Sequence, residues 1–146
     1  MPELIMQSVN FEFLRQRWPE LASLGGFAEH YAWPDPAGAL VKLRAYVESL
    51  IHRFYDEHGL GRPQQASLID LLKQDDFKQS VPSVVLNSLH SIRIAGNKAA
   101  HAEPIHRFNV HELLRDAFDL GRWLHMVCGG RQQDCPVYQA PEKPQA

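Results

Sequence analysis

The stretch "DPAGALVKLRAYVESLIHRFYDEHG", Asp35 to Gly59, decides the fold class. Asp35 is a good helix N-cap, Pro36 suits the first helical position because an N–H there would lack a partner anyway, and Gly59 supplies a stop. Between them Leu40, Leu43, Val47, Leu50, Ile51 and Phe54 recur at spacings of three and four, drawing one apolar stripe along a helix. A helix with such a face needs other helices to cover it, so this one is expected to be the centre of the core.

The flanks supply them. Upstream, Asn10 is placed to cap a short amphipathic helix, "FEFLRQRW", with Phe11, Leu14 and Trp18 on one side. Pro19 then starts a second helix that ends before Pro34 and carries Leu21, Leu24, Phe27 and Tyr31 at helical spacing. Downstream, "GLGRPQQ" reads as a loop, and Ser67 with Asp70 opens a short helix, "LIDLLKQ", in a variant of the capping box. After "DDFKQS", Pro82 starts a long helix through Ala102, stopped by Pro104, with Val85, Leu89, Ile92, Gly96 and Ala99 expected on its buried side. Asn109 and Glu112 open the last helix, in which Leu113, Ala117, Leu120, Leu124 and Val127 are expected to face inward before Gly129-Gly130 closes it.

No segment sustains the period-two alternation of a strand. The pattern predicts an all-α up-down bundle of about five to six helices over residues 10–130, after a flexible N-terminus at 1–9. Residues 131–146, "RQQDCPVYQAPEKPQA", lose periodicity and gain Pro and Gln, the composition of a linker or tail toward a following domain. On that composition the chain is expected to be a fragment of something larger.

With 146 residues and 45% apolar composition, the chain suits one globular domain with a single core. No apolar run approaches the ~20 residues that cross a bilayer, and the start has neither the basic nor the apolar region of a signal peptide. A cytoplasmic protein with no membrane partner is the expectation. A net charge of -2 excludes the strongly basic footprint of a dedicated DNA binder. Ten of the fifteen basic residues are arginine, which suits local contacts to anions or partners. Cys128 and Cys135, seven apart with no third cysteine, match neither a zinc finger nor a redox pair, so no metal is expected. Phosphate-binding loops, glycine-rich dinucleotide turns, nucleophile elbows and H-E-x-x-H pairs are absent from the sequence.

One region stands out: "SLHSIRIAGNKAAHAEP", Ser88 to Pro104. Arg93, Asn97 and His101 stand at i, i+4 and i+8 and share one slowly drifting helix face, with His90 bordering it. Such a row suits a phosphate, with Arg93 as the cation, Asn97 as a donor and His101 as a general acid or base. A structural role fits the residues better, with Asn97 and His101 bonded to backbone near the helix end and His101 favoured there by the helix dipole. Gly96 costs a helix ~1 kcal/mol against alanine, so it calls for a packing reason. With Ala95, Ala99 and Ala100 it makes a smooth patch for a close approach by the Leu40–Phe54 helix or the last helix.

The segment "NFEFLRQRWPELASLGGFAEHYAWPDPAGALVKLRAYVESL", followed by "LHSIRIAGNKAAH", resembles the N-terminal helical domain of type I restriction enzyme R subunits and of related DEAD/DEAH-box helicase-nucleases. The resemblance rests on Asn10 to Leu14 ("NF-x-FL"), Asp35-Pro36, Lys42 to Arg44 ("KLR") and Arg93 to His101 ("R-x-x-GN-x-A-x-H"), in that order over about residues 10–128. That domain is similar in turn to the HEPN superfamily, many members of which are metal-independent RNases acting through an arginine and a histidine across a dimer. Alignment on Asn97 and His101 puts Gly96 where the catalytic arginine would stand. The resemblance therefore implies a HEPN-like, non-catalytic accessory domain without a cofactor, in a restriction and phage-defence setting. Its partners would be other subunits of a restriction complex, nucleic acid, or a second copy of itself. Arg93, Asn97, Lys98, His101 and Arg107 are the expected binding residues, and Gly96, Asp35 and Pro36 the structural ones. The nuclease and ATPase motifs of R subunits do not occur in the chain. The alternative is a HEPN-type RNase or toxin-like protein using Arg93 and His101.

Overall fold

In the computed structural model, which describes residues 5–145, the helix predicted from Asp35 runs Pro36–Glu57 (α2). Asp35 Oδ1 accepts the Gly38 N–H at 3.0 Å, and Gly59 follows the last turn at φ +66°. All six residues of the predicted stripe are buried. The other helices are α1 (Pro19–Tyr31), α3 (Leu68–Lys73), α4 (Asp75–Ser80), α5 (Ser83–Ala100) and α6 (Val110–Val127). Among the described residues the protein is all-α, six helices with no strand, and α1, α5 and α6 all pack on α2. None of these helices is long and apolar enough to cross a membrane.

Several expectations change in detail. The predicted helix over 11–18 is only a 3-10 turn, Glu12–Leu14. Trp18, just before Pro19, is held at ψ 73° outside the helical region, as a residue preceding proline usually is. The expected apolar side survives, with Phe11, Leu14 and Trp18 all buried. Asn10 caps nothing. Instead Ser8 Oγ accepts the Phe11 N–H at 2.8 Å, and the Asn10 amide turns to Glu29 and to Gln139.

In α1 the buried face is made of Leu21, Ala22, Gly25, Gly26 and Ala28, while Leu24, Phe27 and Tyr31 are half-buried at its edge. "DDFKQS" is helical and delivers Phe77 into the core. α5 ends at Ala100, because Ala102 adopts φ +55° and Glu103 N–H reaches back to Lys98 O at 2.9 Å. That is the left-handed closure in which a helix end satisfies its last carbonyls. Ala99 is half-buried rather than buried. Val127 is 42% exposed, so it does not face inward as its spacing predicts. It ends α6 just before Cys128 and Gly129 (φ +92°), where the chain turns away. Ser67 and Asp70 form the reciprocal capping box, and Asn109 Oδ1 accepts from both His111 N–H and Glu112 N–H.

The flanking segments lie against the bundle where they are described; positions 1–4 of the N-terminal stretch, and Ala146, fall outside the described residues. Glu29 on α1 accepts from Ser8 Oγ and from the Val9 and Asn10 N–H groups. Past α6, the Pro- and Gln-rich stretch runs back along the bundle. Gln139 N–H donates to Asn10 Oδ1 and Asn10 Nδ2 donates to Gln139 O, both at 2.8 Å. Trp33 Nε1 donates to Pro141 O at 2.9 Å, and the Tyr138 ring lies 5.3 Å from that of Phe118.

Candidate functional site

α5 presents the predicted row. Arg93, Asn97 and Lys98 are half-buried and His101 is exposed. His101 sits at the C-cap, its N–H bonded to Asn97 O at 3.1 Å. Side chains of the row are not hydrogen-bonded to one another; instead Arg93 Nη2 lies 3.4 Å from His90 Nδ1, one turn earlier.

Gly96 has the packing reason its cost demands. A Cβ there would stand 2.9 Å from Leu40 O and 3.2 Å from Arg44 Cδ. The smooth patch on α5 is thus the contact with α2, and Arg44 lies directly across it. The chemistry of Arg44 is not singled out by the sequence patterns. A signal was present: four residues after Leu40 and three before Val47, Arg44 occupies a slot of the apolar stripe. A charged group in such a slot needs its own explanation.

The electrostatics of the row are one-sided. Nε of Arg44 and Nε of Arg93 are both buried without a hydrogen-bond partner. Among the described residues, Arg44, Arg93, Lys98 and Arg107 take part in no ion pair, whereas Arg15, Arg17, Arg53 and Arg62 all do. Buried polar groups are nearly always satisfied, so the two guanidinium groups stand out as charges that the protein itself leaves uncompensated. His90 feels the same field. Burial first, then the positive charges of Arg93 and Lys73, hold its imidazole below the ordinary value of 6.5.

The folded state binds fewer protons at His90 than the unfolded chain does. The stability from keeping His90 neutral is present above about pH 6.5 and is lost as pH falls through its lowered folded value. We expect His90→Gln to flatten the decline of the melting temperature between about pH 7 and pH 5, read by thermal unfolding of both proteins at matched ionic strength. Parallel curves for the two proteins would contradict the assignment.

Arg107 stands apart from the row, in the connection between α5 and α6, with its guanidinium carbon 5.8 Å from the Phe108 ring. It opens instead onto a cleft shared with Trp33 and His111. Both cysteines are free thiols, and among the described residues no three His, Cys, Asp or Glu side chains gather as metal ligands would. No family model, curated protein or solved structure matches this chain.

Proposed function

We propose that this chain is a non-catalytic N-terminal accessory domain of a type I restriction enzyme R subunit, acting in the cytoplasm in phage defence. It holds partner subunits or nucleic acid through the α5 face of Arg93, Asn97, Lys98 and His101. The observation that carries this reading is uncompensated positive charge, since Arg93 and Lys98 on that face and Arg44 across the α2–α5 contact take part in no ion pair among the described residues. A carboxylate or phosphate from outside would meet that charge, and a charge-assisted bond of that kind is among the stronger polar contacts. The HEPN-like resemblance supports the same face, since "R-x-x-GN-x-A-x-H" covers it.

The test uses purified methyltransferase and specificity subunits added to this chain, with affinity read by calorimetry. Binding is expected, and Arg93→Ala is expected to weaken it by about tenfold to a hundredfold, the usual range for loss of a hydrogen bond to a charged group. Binding that is unchanged in Arg93→Ala and His101→Ala would remove the α5 face from the contact. No binding by the parent protein would remove the docking role.

A second reading is a metal-independent RNase or toxin-like protein using Arg93 and His101. It is favoured by one observation, that the His101 side chain is exposed and carries no hydrogen bond. Against it, Gly96 holds the position of the family's arginine. Cleavage of single-stranded RNA in the presence of a chelator, lost in His101→Ala, is its expected signature.

A further inference from the structure

A second surface lies where the α1–α2 corner meets the α5–α6 connection. It is an open cleft of about 530 Å³ lined by Trp33, Pro36, His106, Arg107, Phe108 and His111. We infer that this cleft binds a nucleotide unit, with the base stacked at Trp33 and His111 and the phosphate held by Arg107.

The aromatic part is organised. Trp33 is 36% exposed, yet its edge is fixed because Nε1 donates to Pro141 O at 2.9 Å. His111 lies against it with ring centroids 4.1 Å apart, and Lys143 Nζ stands 5.8 Å from the same indole ring. A large apolar ring about a third exposed, held at its edge and already paired with His111, offers a stack that a nucleobase can extend. Base–aromatic contacts of this kind tolerate any sequence, because every base has a π-face.

The charge of the cleft selects an anion. No Asp or Glu lines it, whereas Arg107, His106 and His111 do. Asp35, next to Pro36, accepts the Gly38 N–H through Oδ1, and Glu112 lines the two neighbouring clefts along α6 instead. Arg107 makes no ion pair or hydrogen bond among the described residues, so its planar fork of donors is free for phosphate oxygens. The N-terminus of α6 is not the anion site, because Asn109 Oδ1 already occupies the His111 and Glu112 N–H groups. The volume falls within the range of small-ligand sites, about 300–1,000 Å³.

The same chemistry is offered by a free mononucleotide and by one residue of a single strand. The experiment separates them with two probes on the full chain: uridine monophosphate, and a fluorescein-labelled single-stranded 12-mer of deoxythymidine. Anisotropy gives affinity over a range of salt, and the Trp33 indole N–H resonance reports occupancy. Saturable binding of either probe with movement of that resonance is expected. Oligonucleotide binding without mononucleotide binding identifies a strand site; comparable binding of both identifies a free-nucleotide site. Arg107→Ala should weaken binding about fivefold to tenfold and lower the slope of log affinity against log salt by about one phosphate contact. Trp33→Leu should weaken it about tenfold and leave that slope unchanged. Arg107 is exposed, so its variant keeps the fold even if the tryptophan variant does not. Two results overturn the inference: a Trp33 resonance unmoved by both probes, or binding lost in Arg93→Ala while Arg107→Ala keeps full affinity. Loss of subunit docking in Arg93→Ala with retained nucleotide binding would leave this cleft intact and concern α5 alone.

Discussion

Replacing Phe11 with alanine is expected to lower the unfolding free energy by about 3–4 kcal/mol, the usual cost of truncating a buried phenylalanine. Phe11 has no exposed surface, and its ring meets those of Tyr46 and Phe118 edge-on at 5.3 and 6.3 Å. It rests on Gly25 of α1, where a Cβ would run into the Phe11 side chain. Three helices therefore meet one side chain supplied from outside any helix. Neighbouring Leu14 and Trp18 are equally committed, so the surrounding core has little freedom to collapse into the space left behind. Denaturant unfolding of Phe11→Ala against the parent protein measures the loss. A loss below about 1 kcal/mol would mean that the segment before α1 is an appendage, outside the range for core truncation.

Gly96→Leu is expected to cost about 3 kcal/mol, at the upper end of what overpacking does, and to lower the melting temperature by roughly 10 °C. The direction is decided by setting two effects against each other. Removing glycine from a helix interior stabilises it by ~1 kcal/mol through propensity alone. The new Cβ would stand 2.9 Å from the Leu40 carbonyl oxygen, which belongs to the α2 backbone and cannot swing aside. The helices would have to part along their contact, so sterics win. Gly96→Ala should follow in the same direction with about half the effect. A more stable Gly96→Ala protein would show that α2 and α5 separate at little cost.

What was legible in advance was what is encoded locally. Around α2, a cap, a proline, an apolar stripe and a terminal glycine all sit within one stretch, and each has a geometric consequence a few residues away. The same holds for the capping box at Ser67 and for the simple cap at Asn109, where Glu112 does not complete a box. Gly96 was readable as a close approach, with α2 as one of two named neighbours, because mid-helix glycine is costly. The polar attachments of segments 5–10 and 131–143 were opaque for a physical reason. They are contacts between individual side chains and distant backbone or rings, such as Glu29 to the Asn10 N–H or Tyr138 to Phe118, and such contacts leave no period. Val127 misled because its spacing is right while the helices that would cover it are not there.

The candidate site divides in the same way. The row on α5 followed from helix spacing, but its unsatisfied charge did not, because Arg44 arrives from α2 across 49 residues of sequence. The cleft at Trp33 was harder still. It joins the α1–α2 corner to the α5–α6 connection, and only Arg107 carried an advance hint. Polar constellations built from separate loops have no sequence periodicity to betray them.

The pairing of Asn10 with Gln139 has a mechanical meaning. Two hydrogen bonds join positions 129 apart, at the two margins of the bundle. Tension drawing the two margins apart would load this clasp together with the Ser8 and Val9 bonds to Glu29 and the Trp33–Pro141 bond, before the apolar contacts between the helices. These few polar bonds are expected to act as a fuse that yields ahead of the bundle.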